Sequence, residues 1–278
     1  MRAKPVSLLL AGLLLGAAWG ADSPFKASVE KEDYVAAMKA VAAKFKGTPG
    51  VYLHLGDSIT YANQNTALAR SGGLPEAREF LKWSHCGEKN DKDGWWLASV
   101  DVPGNRSHTA ASGVRADEYL KGGKGGLPPL ADLIQKYNPH MALYMLGTND
   151  VNAGRPVAQY IADVEKAVDA LLANGTVVVL STLPPCRGKI QQVEAFNAAL
   201  RELAVKKKIP VVDLYGEMKA RAGENLDVYL QKDGVHLSFE AAGGPATEEN
   251  LKKSGYLLRC YLALHKGMEV RAKVFDGK

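Results

Sequence analysis

Four short stretches of this chain carry the residue types and spacings that acyl transfer requires. Gly56-Asp57-Ser58 places a serine in a tight turn. A serine hydroxyl is a poor nucleophile until a base takes its proton, and the base in turn needs an acceptor that orients it. Asp233-Gly-Val-His236 supplies both types three residues apart. The Asp233 carboxylate can accept the Nδ1 proton of His236, which leaves Nε2 free to face Ser58. The negative charge that grows on an attacked carbonyl oxygen needs hydrogen-bond donors aimed at it. Three are on offer: the backbone N–H of Ser58, that of Gly113 in Ala111-Ser-Gly113, and the side-chain amide of Asn149 in Gly147-Thr-Asn-Asp150. Taken singly, each stretch has a plainer reading, Ser58 as a helix cap and Asp233 or Asn149 as turn residues.

The elements that must position these residues follow from hydrophobic patterning. Continuous apolar runs at 51–55, 97–102, 141–146, 176–180 and 209–214 read as buried strands. Helical spacing recurs between them, over 29–45, 75–82, the stretch before Tyr137, 157–172, 193–205 and within 240–265. Alternating strands and helices imply βαβ units and a parallel sheet covered on both faces. The expectation is an α/β fold, an α/β/α sandwich on a five-stranded parallel sheet. No low-complexity linker or internal repeat divides it, so residues 21–278 read as one domain. In such sheets ligands bind beyond the carboxyl ends of the strands, where Ser58, Gly113, Asn149 and the Ser181–Arg187 stretch fall.

Taken together, in this order and on these strands, the four stretches resemble the SGNH/GDSL hydrolase family over roughly residues 51–264. The resemblance implies a flavodoxin-like sandwich, Ser58 as nucleophile, His236 as general base and Asp233 as its orienter. It implies Ser58, Gly113 and Asn149 as the oxyanion hole, with Gly104 the alternative to Gly113, because Asn105 stands eight residues before Gly113. The family's esterases, lipases, thioesterases and carbohydrate deacetylases need no metal or cofactor.

The remaining sequence bounds the setting. Arg2 and Lys4, the apolar run Leu8–Leu15 and the small residues of Ala18-Trp19-Gly20 form the pattern of a signal peptide over 1–20. The expected protein is therefore periplasmic or extracellular. Its formal charge of +5 loses the two leader cations, leaving about +3, too little to argue for nucleic acid. No second stretch is long enough to insert stably in a membrane. Cys86, Cys186 and Cys260 allow one disulfide and one thiol, with the pairing open. Asp91-Lys-Asp-Gly94 holds too few acids for a calcium loop. Trp83, Trp95 and Trp96 lie in a long insertion and either stack on a sugar or anchor the loop. The expected function is a serine-dependent carboxylic-ester hydrolase that removes short acyl groups, such as acetyl, from a small-molecule or carbohydrate ester. The alternatives are a lipase, lysophospholipase or thioesterase of the same fold, or a non-catalytic glycan-binding protein. Oligomeric state is not legible.

Overall fold

A computed structural model describes residues 23–27 and 34–277 of the chain, so the leader expected at 1–20 lies outside it. Four parallel strands form the sheet: β1 (Tyr52–Gly56), β2 (Met141–Met145), β3 (Val177–Ser181) and β4 (Val211–Val212), in the order β1-β2-β3-β4. Tyr52 stands opposite Met141, and Met141 opposite Val177. Every residue of β1, β2 and β3 is buried, as mainly apolar runs require of a sheet covered on both faces. The helices Val157–Ala173 and Ile190–Lys207 pack on β3 and on each other, with Tyr160 and Phe196 stacked between them at 4.4 Å. The C-terminal helix Gly255–Val270 contacts β4, and Val35–Ala42 contacts β3.

Among the described residues the sheet has four strands rather than the expected five. The segment read as a strand at 97–102 begins inside a helical turn, Gly94–Leu97, because the Asp93 carboxylate caps it by accepting from the Trp96 N–H at 3.0 Å. Beside β1 the sheet continues only as an isolated parallel bridge between Gly56 and Ala110. The Ser107 hydroxyl accepts from the N–H groups of Thr109 and Ala110, so this loop folds on itself instead of extending a ladder. At the other edge β4 is cut to two residues. Pro210 has no N–H to give, and Asp213 caps the helix Leu214–Ala222 by accepting from Gly216 N–H at 3.1 Å. The three cysteines are free thiols, so no disulfide forms among them.

One close approach fixes how β1 hands the chain to Ser58. At Gly56 a Cβ would stand 2.0 Å from Thr60 Oγ1 and 2.7 Å from the Met145 carbonyl oxygen, distances that only a hydrogen at that position permits. Gly56→Ala is therefore expected to cost about 1–3 kcal/mol through overpacking and to displace the Ser58 turn. Urea denaturation should register the loss, and a variant with wild-type stability would mean that the turn relaxes freely.

Candidate active site

Ser58 opens a single helical turn, Ser58–Tyr61, directly beyond β1. Asp57 caps it by accepting from Ile59 N–H at 3.0 Å, which leaves the serine at the first helical position. An N–H there has no acceptor within the helix and is free to face a ligand.

The partner histidine arrives from a loop 178 residues away: His236 Nε2 and Ser58 Oγ are 2.9 Å apart. The far side of the ring, Nδ1, lies 2.7 Å from Asp233 Oδ2. With Nδ1–H donating to that carboxylate, Nε2 is the ring's acceptor for the serine proton. The other oxygen, Asp233 Oδ1, accepts from the N–H groups of Val235 and His236 at 2.9 and 3.0 Å. Partial desolvation works against the Asp233 charge. The hydrogen bonds from the His236 ring and from these two N–H groups outweigh it, and the carboxyl sits below its ordinary range. Gly234, at φ +72°, turns the loop tightly enough for the three-residue spacing to close. Arg187 then clamps the loop from the end of β3. Its N–H donates to Gly234 O at 2.8 Å, its guanidinium to Lys232 O at 3.0 Å and to Asp227 at 3.0 Å.

Asn149 lies in the turn Thr148–Asn152 beyond β2. Its amide donates to Val114 O at 3.0 Å and, in a longer contact of 3.4 Å, to Asp57 Oδ2. The longer contact is the weaker of the two, so that hydrogen is the one an oxyanion could take over. Gly113 immediately precedes Val114 and so adjoins Asn149, whereas Gly104 packs its Cα against the Gly125 carbonyl. Asp150 braces the same loop, accepting from Ala116 N–H at 3.0 Å while paired with Arg155.

Beneath the serine turn lies a charge arrangement of its own. Asp57 is wholly buried, and that burial raises its carboxyl to about 6, against the pull of the Ile59 N–H and the positive charge of Arg259. Arg259 projects from the C-terminal helix, is itself buried, and donates to Thr60 Oγ1 at 2.9 Å. The tryptophans pack against other rings, Trp95 fully buried and Trp83 and Trp96 partly so. Trp95 is fully buried against Tyr52 and His54, Trp83 packs on Phe275, and Trp96 on His108. His54 is a packed core residue. No cluster of three or more potential metal ligands occurs among the described residues.

A sequence profile of the GDSL-like lipase/acylhydrolase family matches residues 54–242, well over half of the chain. The chain belongs to that family. It is an ester-cleaving hydrolase with the family's fold. A serine-to-alanine mutant of an acetyl esterase, crystallised with acetate, superposes with a TM-score of 0.51 at 20% identity, covering 82% of this chain and 99% of its own. A carbohydrate esterase of family 3 from Talaromyces cellulolyticus gives 0.51 at 20% identity, over 81% and 98%. A lipase/acylhydrolase from Enterococcus faecalis gives 0.50 at 18%, over 80% and 96%. At these identities the likeness is one of fold. No curated protein matches the sequence.

Two residues of this hydrolase site went unrecognised in the sequence. Arg187 stood at the carboxyl end of a strand, where site residues were expected, but nothing local linked it to the Asp233 loop. Arg259 did carry a signal, as a lone charge in the apolar stretch Gly255-Tyr-Leu-Leu-Arg-Cys-Tyr-Leu-Ala-Leu264. Misplacing a reacting group by about 1 Å can cost roughly 10²-fold. Arg187→Ala should therefore lower kcat about 10–100-fold with thermal stability nearly unchanged, and a kcat equal to wild type would mean the loop holds itself. Asp57 supplies a pH test. Its folded carboxyl lies above the ordinary 3.8, so the native state binds more protons than the unfolded state between about pH 4 and 6. Stability through this group falls as pH rises across that window, by about 3 kcal/mol at most. Asp57→Asn should flatten the loss of unfolding free energy between about pH 4 and 6 in urea titrations, and an unaltered slope would contradict the assignment.

Proposed function

We propose that the protein is an exported serine esterase that removes short acyl groups, acetyl foremost, from carbohydrate esters. The observation that carries this reading is the continuous chain from Ser58 Oγ through His236 to Asp233, at 2.9 and 2.7 Å. In the reaction Ser58 Oγ attacks the ester carbonyl as His236 Nε2 takes its proton, and Asp233 stabilises the imidazolium so formed. The oxyanion is met by the N–H groups of Ser58 and Gly113 and by the Asn149 amide. His236 returns the proton to the departing alcohol, leaving an acyl ester on Ser58. Water, deprotonated by the same histidine, then attacks that ester and releases the acid.

Two features favour a short acyl group on a polar alcohol over a lipid. The cleft lined by Tyr61 of the serine turn also holds Asp101 and Asn105, and an alkyl chain laid along them would desolvate groups it cannot pair with. Acetyl and carbohydrate esterases among the structures of like fold suggest which substrates to try. Export rests on the pattern of residues 1–20. Among the described residues no helix is long and apolar enough to cross a membrane.

Hydrolysis of p-nitrophenyl acetate, butyrate and octanoate tests the reading. Acetate should be preferred. Ser58→Ala and His236→Ala should each lose about 10⁴-fold or more, each nearly as much as the double variant. Asn149→Ala should lose about 10²–10³-fold in kcat. A preference for octanoate would make the protein a lipase instead. Wild-type rates in the Ser58 variant would end the serine mechanism.

A further inference from the structure

A cleft of about 450 Å³ opens beside the serine turn, lined by Tyr61, Asp101, Val102, Pro103, Gly104 and Asn105. Small-molecule sites usually span about 300–1,000 Å³, so the space suits a ligand rather than a few waters. Its position is set by the turn itself. Ser58 and Tyr61 are three residues apart on one helical turn, a spacing that puts side chains on neighbouring positions about 5–6 Å apart. A ligand resting against Tyr61 therefore sits beside the turn that presents Ser58.

The wall opposite Tyr61 is built to keep its shape. Val102 and Arg106 form an antiparallel bridge, and Val102 N–H donates to Arg106 O at 3.0 Å. The Arg106 guanidinium donates to Gly125 O at 2.9 Å, where Gly104 also packs. Ser112 N–H donates to Asn105 O at 3.0 Å, which ties the wall directly to the residue before Gly113. The cleft and the proposed oxyanion donor are thus one braced unit.

The polar groups in this cleft are a mixed set. Asp101 is exposed and accepts a hydrogen bond from the Tyr61 hydroxyl. Asn105 is held in the left-handed region, at φ +58°, with its side chain exposed. A carboxylate, an amide and a phenol ring side by side can accept from hydroxyls, donate to them and cover an apolar face. A simple alkyl ester offers nothing to the first two.

On the serine-esterase reading above, on which this step rests, we propose that the Tyr61–Asp101–Asn105 cleft binds the alcohol half of the substrate as a pyranose ring. A ring hydroxyl beside the ester donates to Asp101, the Asn105 amide pairs with a second hydroxyl, and the apolar face of the sugar lies against Tyr61. These residues select the alcohol, whereas Ser58, His236 and Asn149 act on the acyl group whatever its alcohol. Trp95 is closed into the core and Trp83 and Trp96 pack on Phe275 and His108, so Tyr61 is the aromatic ring that lines this cleft.

Binding to a protein that cannot turn over separates this claim from the esterase reading. Mono-O-acetyl methyl β-xylopyranoside is titrated calorimetrically into the full chain bearing Ser58→Ala, and into the same chain bearing Ser58→Ala with Asp101→Ala or Asn105→Ala. Each second substitution should weaken binding about tenfold or more, equivalent to about 1.4 kcal/mol, while propyl acetate should show no such dependence. Equal affinity in all three proteins, or no binding to the Ser58→Ala protein, would overturn the subsite. Sugar binding that depends on Asp101, with no ester hydrolysed by the wild-type protein, would uphold the subsite and sink the esterase reading instead.

Discussion

The hydrogen bond between His236 Nε2 and Ser58 Oγ joins residues 178 positions apart, and most of the structure serves to hold that distance. A serine on one loop and a histidine on another meet at 2.9 Å only if both loops are anchored. The parallel sheet does the first part by delivering the ends of β1, β2 and β3 to one rim. Around that rim the loops are fastened to each other: Asp57 to Asn149, Asn149 to Val114, Asp150 to Ala116, and Arg187 to the Asp233 loop.

This fastening has an electrostatic cost that the fold accepts beneath the serine. Asp57 is buried where its charge is disfavoured, and Arg259 is buried opposite it without a direct ion pair among the described residues. An apolar pair in those positions would be easier to bury. Such a pair could neither cap the turn that presents Ser58 nor receive the Asn149 amide. The same trade appears at Asp233, left half-exposed because His236 has to face a substrate.

Much of this was legible in the sequence, for identifiable reasons. β1, β2 and β3 are buried on both faces, so their runs are mainly apolar, broken only by His54 and Ser181, and plain to read. Ser58, Asn149 and His236 fall just beyond strands or in a tight turn, and it was the four stretches together, in their order along the chain, that directed attention to them. The edges were less legible. Whether 97–102 extends or coils was decided by the Asp93 cap and by the Ser107 hydroxyl, both local side-chain bonds that periodicity does not register. β4 shortened for the same reason at Asp213. Arg187 and Arg259 act across the fold on residues distant in the chain, so their partners could not be read from neighbouring sequence. For the tryptophans composition left two roles open, because it does not distinguish a ring that faces a ligand from one that closes a core, and Trp95 takes the second.

The central claim is that Ser58 is the group that becomes acylated. The most direct measurement is to treat the protein with ethyl p-nitrophenyl methylphosphonate and follow its intact mass, then map the modified peptide. Attack by Ser58 Oγ on phosphorus expels p-nitrophenolate and leaves a stable ester that mimics the tetrahedral intermediate. The account predicts one adduct per chain, on the peptide containing Ser58, absent from Ser58→Ala and formed far more slowly in His236→Ala. An adduct on another residue, or none while ester hydrolysis proceeds, would contradict it.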